Sequence, residues 1–136
     1  MCALPASEPP PPLLRKFVRG FYFAFAGVGH VWREQLNIKV HFGATILVIA
    51  LGLFLSVDRR DWIALVICIG MVWTAEALNT ALELIADVAS PEFHPLVGKA
   101  KDIGAGAVLL SAITAAVVAL LVYVPHLAAY LGYATP

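Results

Sequence analysis
The chain has 136 residues, enough for one compact domain, with 61% hydrophobic and 13% charged residues and a mean hydropathy of +0.87. These values exclude an ordinary soluble domain. A formal net charge of zero leaves no basic surplus that would point to nucleic acid. The two cysteines, Cys2 and Cys68, lie too far apart for a small disulfide framework or a metal cluster. The composition is that of an integral membrane protein.

Residues 1–12 (MCALPASEPPPP) are expected to form a disordered or polyproline tail, because they are rich in proline and show no periodicity. They lack the basic start and apolar stretch of a secretory signal. A single membrane domain is expected over 13–130. Its first segment, LLRKFVRGFYFAFAGVGHVWREQL (13–36), mixes Arg and Lys with Phe, Tyr and Trp. It carries too many charges to span and suits an amphipathic helix at the interface, anchored by Phe21, Tyr22, Phe23 and Phe25. Three apolar stretches follow, expected as transmembrane helices at about 38–57, 62–89 and 103–124. The charged cluster Asp58-Arg59-Arg60-Asp61 closes the first, and Pro125 is expected to close the last. The predicted fold class is therefore all-α: a surface helix and three spans.

Basic residues orient the chain. Seven of the nine Lys and Arg lie in the amino-terminal segment, at Lys39 just after it or in the 90–102 loop, against Arg59 and Arg60 in the 58–61 turn. The amino terminus and the 90–102 loop are expected on the cytoplasmic side of the inner membrane.

The second span carries the informative feature. In TAEALNTALELIADVA, Glu76, Asn79, Glu83 and Asp87 fall at offsets of 3, 7 and 11 residues from the first. At about 100° per residue, all four lie within a sector of roughly 80° on a helix. Potential charges at membrane depth cost several kcal/mol, roughly, even on lenient insertion scales. They persist where they face protein, water or a ligand. Asn79 or Thr80 alone would pass as hydrogen-bonded glue between helices; three carboxylates in one stripe would not. The stripe descends toward SPEFHPLVGKAKDIGAG, which holds His94, two lysines and Asp102. Lys101-Asp102 is expected at the start of the third span, where free N–H groups favour anions.

Carboxylates with lysines nearby suit a divalent cation carrying phosphate. Mg²⁺ takes one or two carboxylates, waters and phosphate oxygens rather than an all-protein cage. Glu83 is placed to supply such a carboxylate, and Lys101 to neutralise phosphate. Glu76, deeper and in more apolar surroundings, suits a general base acting on a hydroxyl that arrives from within the lipid. Soluble phosphate-binding loops are absent. Gly98-Lys99 is followed by Ala100 with Phe at position 93, and Gly27-Val28-Gly29 meets Trp32 where a third glycine belongs. Gly104 and Gly106 are expected to permit close helix packing. His30, His41 and His126 are expected as interfacial or packing residues. A transporter or proton-conducting oligomer would also use intramembrane carboxylates, but its polar groups should reach both faces. A non-enzymatic helper subunit gives no reason for lysines and carboxylates to converge.

The run EALNTALELIADVASPEFHPLVGKAKDIGAGAVLL (76–110) resembles the prokaryotic diacylglycerol kinase family, which includes undecaprenol kinases. The shared elements are Glu76, Asn79, Thr80, Ala81, Glu83, Asp87, Ala100, Lys101, Asp102, Ala107 and Val108. The likeness reaches back through NIKVHF (37–42) to the amino-terminal helix and covers about 15–124. It implies a homotrimeric lipid kinase whose sites form between protomers. Glu76 would accept the proton of the lipid hydroxyl, and Asn79 would help bind the substrate. Glu83 would bind the Mg²⁺ that travels with ATP. Lys16, Phe23, Glu92, His94, Lys101 and Asp102 would line the nucleotide site, with Asp87 in support. The family's second metal-binding Glu falls where this chain has Gln35, with Glu34 one residue earlier. Either Gln35 contributes an amide oxygen or Glu34 substitutes through a local adjustment. The NTALE form of the motif and the NIKVH segment lean toward undecaprenol over diacylglycerol.

Overall fold
The computed structural model describes residues 12–34 and 36–133 and, for side chains, 12–32 and 37–133. Four helices follow one another: α1 (Leu13–Glu34), α2 (Leu36–Phe54), α3 (Arg59–Ala89) and α4 (Pro95–Tyr130). No strand occurs among the described residues. Three of the helices contain stretches long and apolar enough to cross a membrane: Asn37–Phe54, Arg59–Ala89 and Pro95–Tyr130. The all-α architecture expected from the sequence is borne out. Of the expected proline-rich tail (1–12), residues 1–11 lie outside those described.

Large apolar side chains such as Leu47, Ile67, Leu109 and Leu121 project outward from these helices. In water such a surface would be a liability, but hydrocarbon surrounds it at no cost. Over 13–32 the α1 helix exposes both its basic and its aromatic residues. It joins the bundle at its carboxyl end, where Trp32 packs edge-on against Phe42 of α2 with ring centroids 4.9 Å apart. Phe42 in turn meets Trp73 of α3, whose indole N–H donates to Thr45 Oγ1 over 3.1 Å.

The α2–α3 connection is a tight turn at 55–58. Ser56 takes a positive φ of 52°, and the Val57 N–H bonds the Gly52 carbonyl at 3.0 Å. Asp58 caps α3 by accepting from Arg60 N (2.7 Å) and Asp61 N (3.0 Å). Arg59, Arg60 and Asp61 are therefore the first turn of α3 and not a linker. Gly52 lies against Trp62, and a Cβ there would stand 2.8 Å from the indole ring.

The α3 and α4 helices form an antiparallel pair, the most extensive packing in the chain, joined through residues 90–94. Pro91 stops α3 by steric conflict with Ser90. His94 caps α4, its Nδ1 accepting from Leu96 N at 3.3 Å, and Pro95 occupies the first helical position. The helix thus starts eight residues before the predicted span (103 − 95), so Lys99, Lys101 and Asp102 ride on helix and not on loop. Lys101 and Asp102 lie beyond the free N–H groups of the first turn, which corrects their expected place at a helix start.

Pro125 does not end α4. Its missing N–H frees one carbonyl, a loss that neighbouring groups make tolerable in membrane helices. The actual stop is Gly132, with φ 78°. Gly132 N bonds Ala129 O, and Tyr133 N bonds Ala128 O, the paired closure of a Schellman motif. Near this end Val57, Leu65 and Val122 form the buried cluster, flanked by Val48, Trp62 and Val118. The Tyr123 hydroxyl donates to Val48 O at 2.6 Å, tying α4 to α2.

Candidate active site
The stripe on α3 has a gradient of burial. Glu76 is 1% exposed and Asn79 6%. Glu83 is half-buried, and Asp87 is exposed. The four residues share a face because α3 is an unbroken helix through them. The face turns toward α4, which packs antiparallel to it.

The stripe's polar groups are satisfied unevenly. Thr80 Oγ1 donates to the Glu76 carbonyl at 2.9 Å, the common back-bond of a helical threonine. Asn79 Nδ2 donates to Glu83 Oε1 at 2.9 Å. Asp87 Oδ1 pairs with Lys101 Nζ at 2.7 Å across the α3–α4 hairpin. With side chains 67% and 37% exposed, that pair is screened and adds little stability. Its effect is to hold Lys101 beside the stripe. Glu76 Oε1 and Oε2 and Asn79 Oδ1, by contrast, are buried and have no hydrogen-bond partner among the described residues. Three buried acceptors without a donor are expensive, and such groups in a native protein mark chemistry or a missing partner. What belongs against them is a donor.

Apolar surfaces flank this polar point. A cleft of about 250 Å³ runs between α2, α3 and α4, lined by His41, Thr45, Leu65, Val72, Trp73 and Ala116 among others. On the other side of Trp73, Val28 and Val31 of α1 face Ile38, Ala77 and Leu78 across a second cleft. An amphiphile with a polar head and hydrocarbon tail matches this layout better than a soluble metabolite does. His41, expected from sequence as a packing residue, lines the first cleft with Val72 and Trp73, one turn from Glu76 on α3. Its place in the NIKVH segment was the available signal.

Other expected site residues are not gathered to the stripe within one chain. Phe23 packs edge-on with Tyr22 and lies under the Arg19 guanidinium, all on α1. Lys16 borders an open groove along α1 with Leu13, Phe17 and Phe21. Glu92 is exposed in the interhelical loop, where its carbonyl accepts from Ser90 Oγ at 2.8 Å. Asp102 is exposed on α4. The candidate second metal ligands, Gln35 and Glu34, lie outside the described side chains. Among the described residues, no three His, Cys, Asp or Glu side chains form a metal-holding group. A single chain thus presents Glu83 as one carboxylate of a sparse donor set, which fits the thin protein ligation that Mg²⁺ accepts. Of the two glycines expected to allow close packing, only Gly104 does so. A Cβ on it would lie 2.5 Å from Asn79 Oδ1, whereas one on Gly106 would meet nothing within 4 Å.

A small helical membrane protein with buried acceptors beside apolar clefts, and a lysine–carboxylate pair further along the same helix face, has the layout to join a lipid alcohol to a water-borne reagent. Comparison with known proteins makes that class specific. Residues 22–123 match the model of the prokaryotic diacylglycerol kinase family, and the chain belongs to that family. It is 32% identical over 114 residues to an undecaprenol kinase of Bacillus subtilis, covering 84% of this chain and 93% of that one. It is 28% identical over 102 residues to a diacylglycerol kinase of Escherichia coli, covering 75% and 84%. A diacylglycerol kinase of Synechocystis is 36% identical over 99 residues, covering 72% of this chain and 57% of its own length. The protein is a membrane lipid kinase, an ATP-dependent phosphotransferase with an alcohol acceptor. The transporter alternative finds no support in these comparisons.

Proposed function
We propose that the protein is an Mg²⁺-dependent undecaprenol kinase of the bacterial inner membrane, with diacylglycerol as the second candidate substrate. The observation that carries the chemistry is the pair of buried Glu76 oxygens without a donor among the described residues. A lipid hydroxyl entering along the apolar clefts supplies that donor. Glu76 takes the hydroxyl proton as the O–H bond breaks. The alcohol oxygen forms its new bond to the γ-phosphorus, and the bond from that phosphorus to the β-bridging oxygen breaks. ADP leaves with that electron pair. The Asn79 amide, bonded to Glu83, keeps the Glu83 carboxylate close to this point.

Glu83 would hold the Mg²⁺, with Gln35 or Glu34 from the junction of α1 and α2. The ion supplies charge neutralisation on the phosphates. Lys101, held by Asp87, adds a second cation for phosphate, and Glu92, His94 and Asp102 border the nucleotide from the loop and α4. Lys16 and Phe23 stay on α1, away from the stripe of their own chain. Their expected role therefore favours a homotrimer in which a neighbour's α1 completes each site. Seven of nine basic residues lie on the stripe's side of the chain, which supports a cytoplasmic amino terminus. The relative named undecaprenol kinase aligns over 93% of its length, which supports a polyprenol substrate alongside the NTALE and NIKVH segments.

The test is phosphate transfer from labelled ATP in liposomes, with undecaprenol and diacylglycerol offered separately. Mg²⁺-dependent product with undecaprenol is expected. Product with diacylglycerol alone overturns the substrate assignment, and no product with any lipid alcohol overturns the function.

A further inference from the structure
A glycine in mid-helix is a cost, because alanine would reduce chain entropy and favour the helix. Gly104 sits three turns into α4, yet the chain keeps a hydrogen atom there. The reason lies across the helix pair. A Cβ built on Gly104 stands 2.5 Å from Asn79 Oδ1 and 3.5 Å from Asn79 Cγ, far inside contact distance. Its other neighbour, Leu82 Cδ2, is at an ordinary 3.6 Å. The conflict is thus with one side chain, and that side chain is 6% exposed.

We propose that Gly104 is a positioning residue: its bare backbone sets the placement of the Asn79 amide and, through Asn79, of the Glu83 carboxylate. The amide orientation is forced. Nδ2 donates to Glu83 Oε1 at 2.9 Å, and a flipped amide would set its oxygen against a carboxylate oxygen. Oδ1 then points away from Glu83 and lies over the Gly104 backbone. Any side chain at 104 drives Asn79 out of that place, and the bond to Glu83 goes with it. The helix pair itself need not move, since the remaining contact is ordinary. This inference rests on the reading of Asn79 and Glu83 as part of the phosphoryl-transfer site.

A double-mutant cycle in the full-length enzyme tests it, using wild type, Asn79→Ala, Gly104→Ala and the double variant. Two readouts are taken: the melting temperature in detergent, and the Mg²⁺ concentration giving half-maximal lipid phosphorylation. Mn²⁺ binding with a non-hydrolysable ATP analogue, followed by electron paramagnetic resonance, accompanies the second. Gly104→Ala is expected to melt lower than wild type and to raise the Mg²⁺ requirement about tenfold, with a matching loss of Mn²⁺ affinity. In the double variant the steric conflict is gone. It should recover the melting temperature lost by Gly104→Ala and show the Mg²⁺ requirement of Asn79→Ala alone. Gly104→Ala behaving as wild type overturns the inference, as do losses that multiply in the double variant. If Gly104→Ala does not fold, a folded double variant supports the inference and an unfolded one overturns it. A wild type without lipid kinase activity defeats the functional reading separately, and the melting cycle then still decides whether Gly104 and Asn79 are coupled.

Discussion
The two ends of the α3–α4 pair follow opposite rules. At the end carrying the 55–58 turn, apolar side chains close on one another around Leu65 and Val122, and the polar groups that enter are answered. Tyr123 donates to Val48 O, and Asp58 collects two backbone N–H groups. At the stripe end, three buried acceptors lack donors among the described residues, and a glycine is retained where alanine would strengthen the helix. A fold selected for stability alone would not leave Glu76 in that condition. The first end holds the hairpin together, and the second gives up part of that stability around Glu76, the base we propose.

Substitutions at the two ends should therefore separate activity from stability. The largest effect is expected for Glu76→Gln, which removes the proton acceptor while keeping shape. Phosphate transfer should fall by roughly 10²–10⁴-fold, with ATP binding retained and the melting temperature unchanged or raised. Near-normal turnover in this variant would falsify the role of Glu76 as base. At the other end, Gly52→Ala places a Cβ 2.8 Å from the Trp62 ring. Overpacking there should cost about 1–3 kcal/mol, seen as a lower denaturation midpoint, while the turnover of the folded fraction stays at the wild-type level. A Gly52→Ala enzyme that keeps its stability but loses rate would erase the division between the ends. Tyr123→Phe should cost about 1 kcal/mol by removing the hydroxyl from Val48 O, again without a change in Mg²⁺ dependence.

The smallest effect is expected for Asp58→Ala, and it carries a pH signature. The backbone N–H groups of Asp61 and Arg60 hold the Asp58 carboxyl below its ordinary value of 3.8. A depressed folded-state value means that the ionised cap stabilises the fold above that ordinary value, and that the contribution is lost as pH falls further through the folded one. Melting scans of Asp58→Ala and wild type should differ at neutral pH and converge in strong acid. A gap that widens on acidification would remove the capping explanation.

Much of this division could be read in the chain before folding. The stripe's spacing put Glu76, Asn79, Glu83 and Asp87 on one face, and they share it; the apolar runs marked three helices, and all three formed. The termini were harder to read. Pro125 looks like a stop, but a helix in apolar surroundings carries on past one lost bond, and the true stop signal was Gly132 seven residues later (132 − 125). His94-Pro95 is a good cap and first-turn pair, hidden inside a segment whose charges suggest a loop. The residues proposed as a metal ligand from the α1–α2 junction, Gln35 or Glu34, fall outside the described side chains.

Periodicity and composition by themselves determined the membrane solvent, the helical class and the polar face of α3, because these depend on local spacing and on the cost of charge in hydrocarbon. Only the tertiary structure decided which stripe residues are answered and which are left open. Asn79 reaches Glu83, Lys101 reaches Asp87, and Glu76 reaches nothing among the described residues. The Asn79–Glu83 bond is local to α3, whereas the Lys101–Asp87 pair depends on how α4 packs on α3. That packing brings the Gly104 backbone over Asn79 Oδ1 with no room for a further carbon, and no property of α3 alone could reveal it.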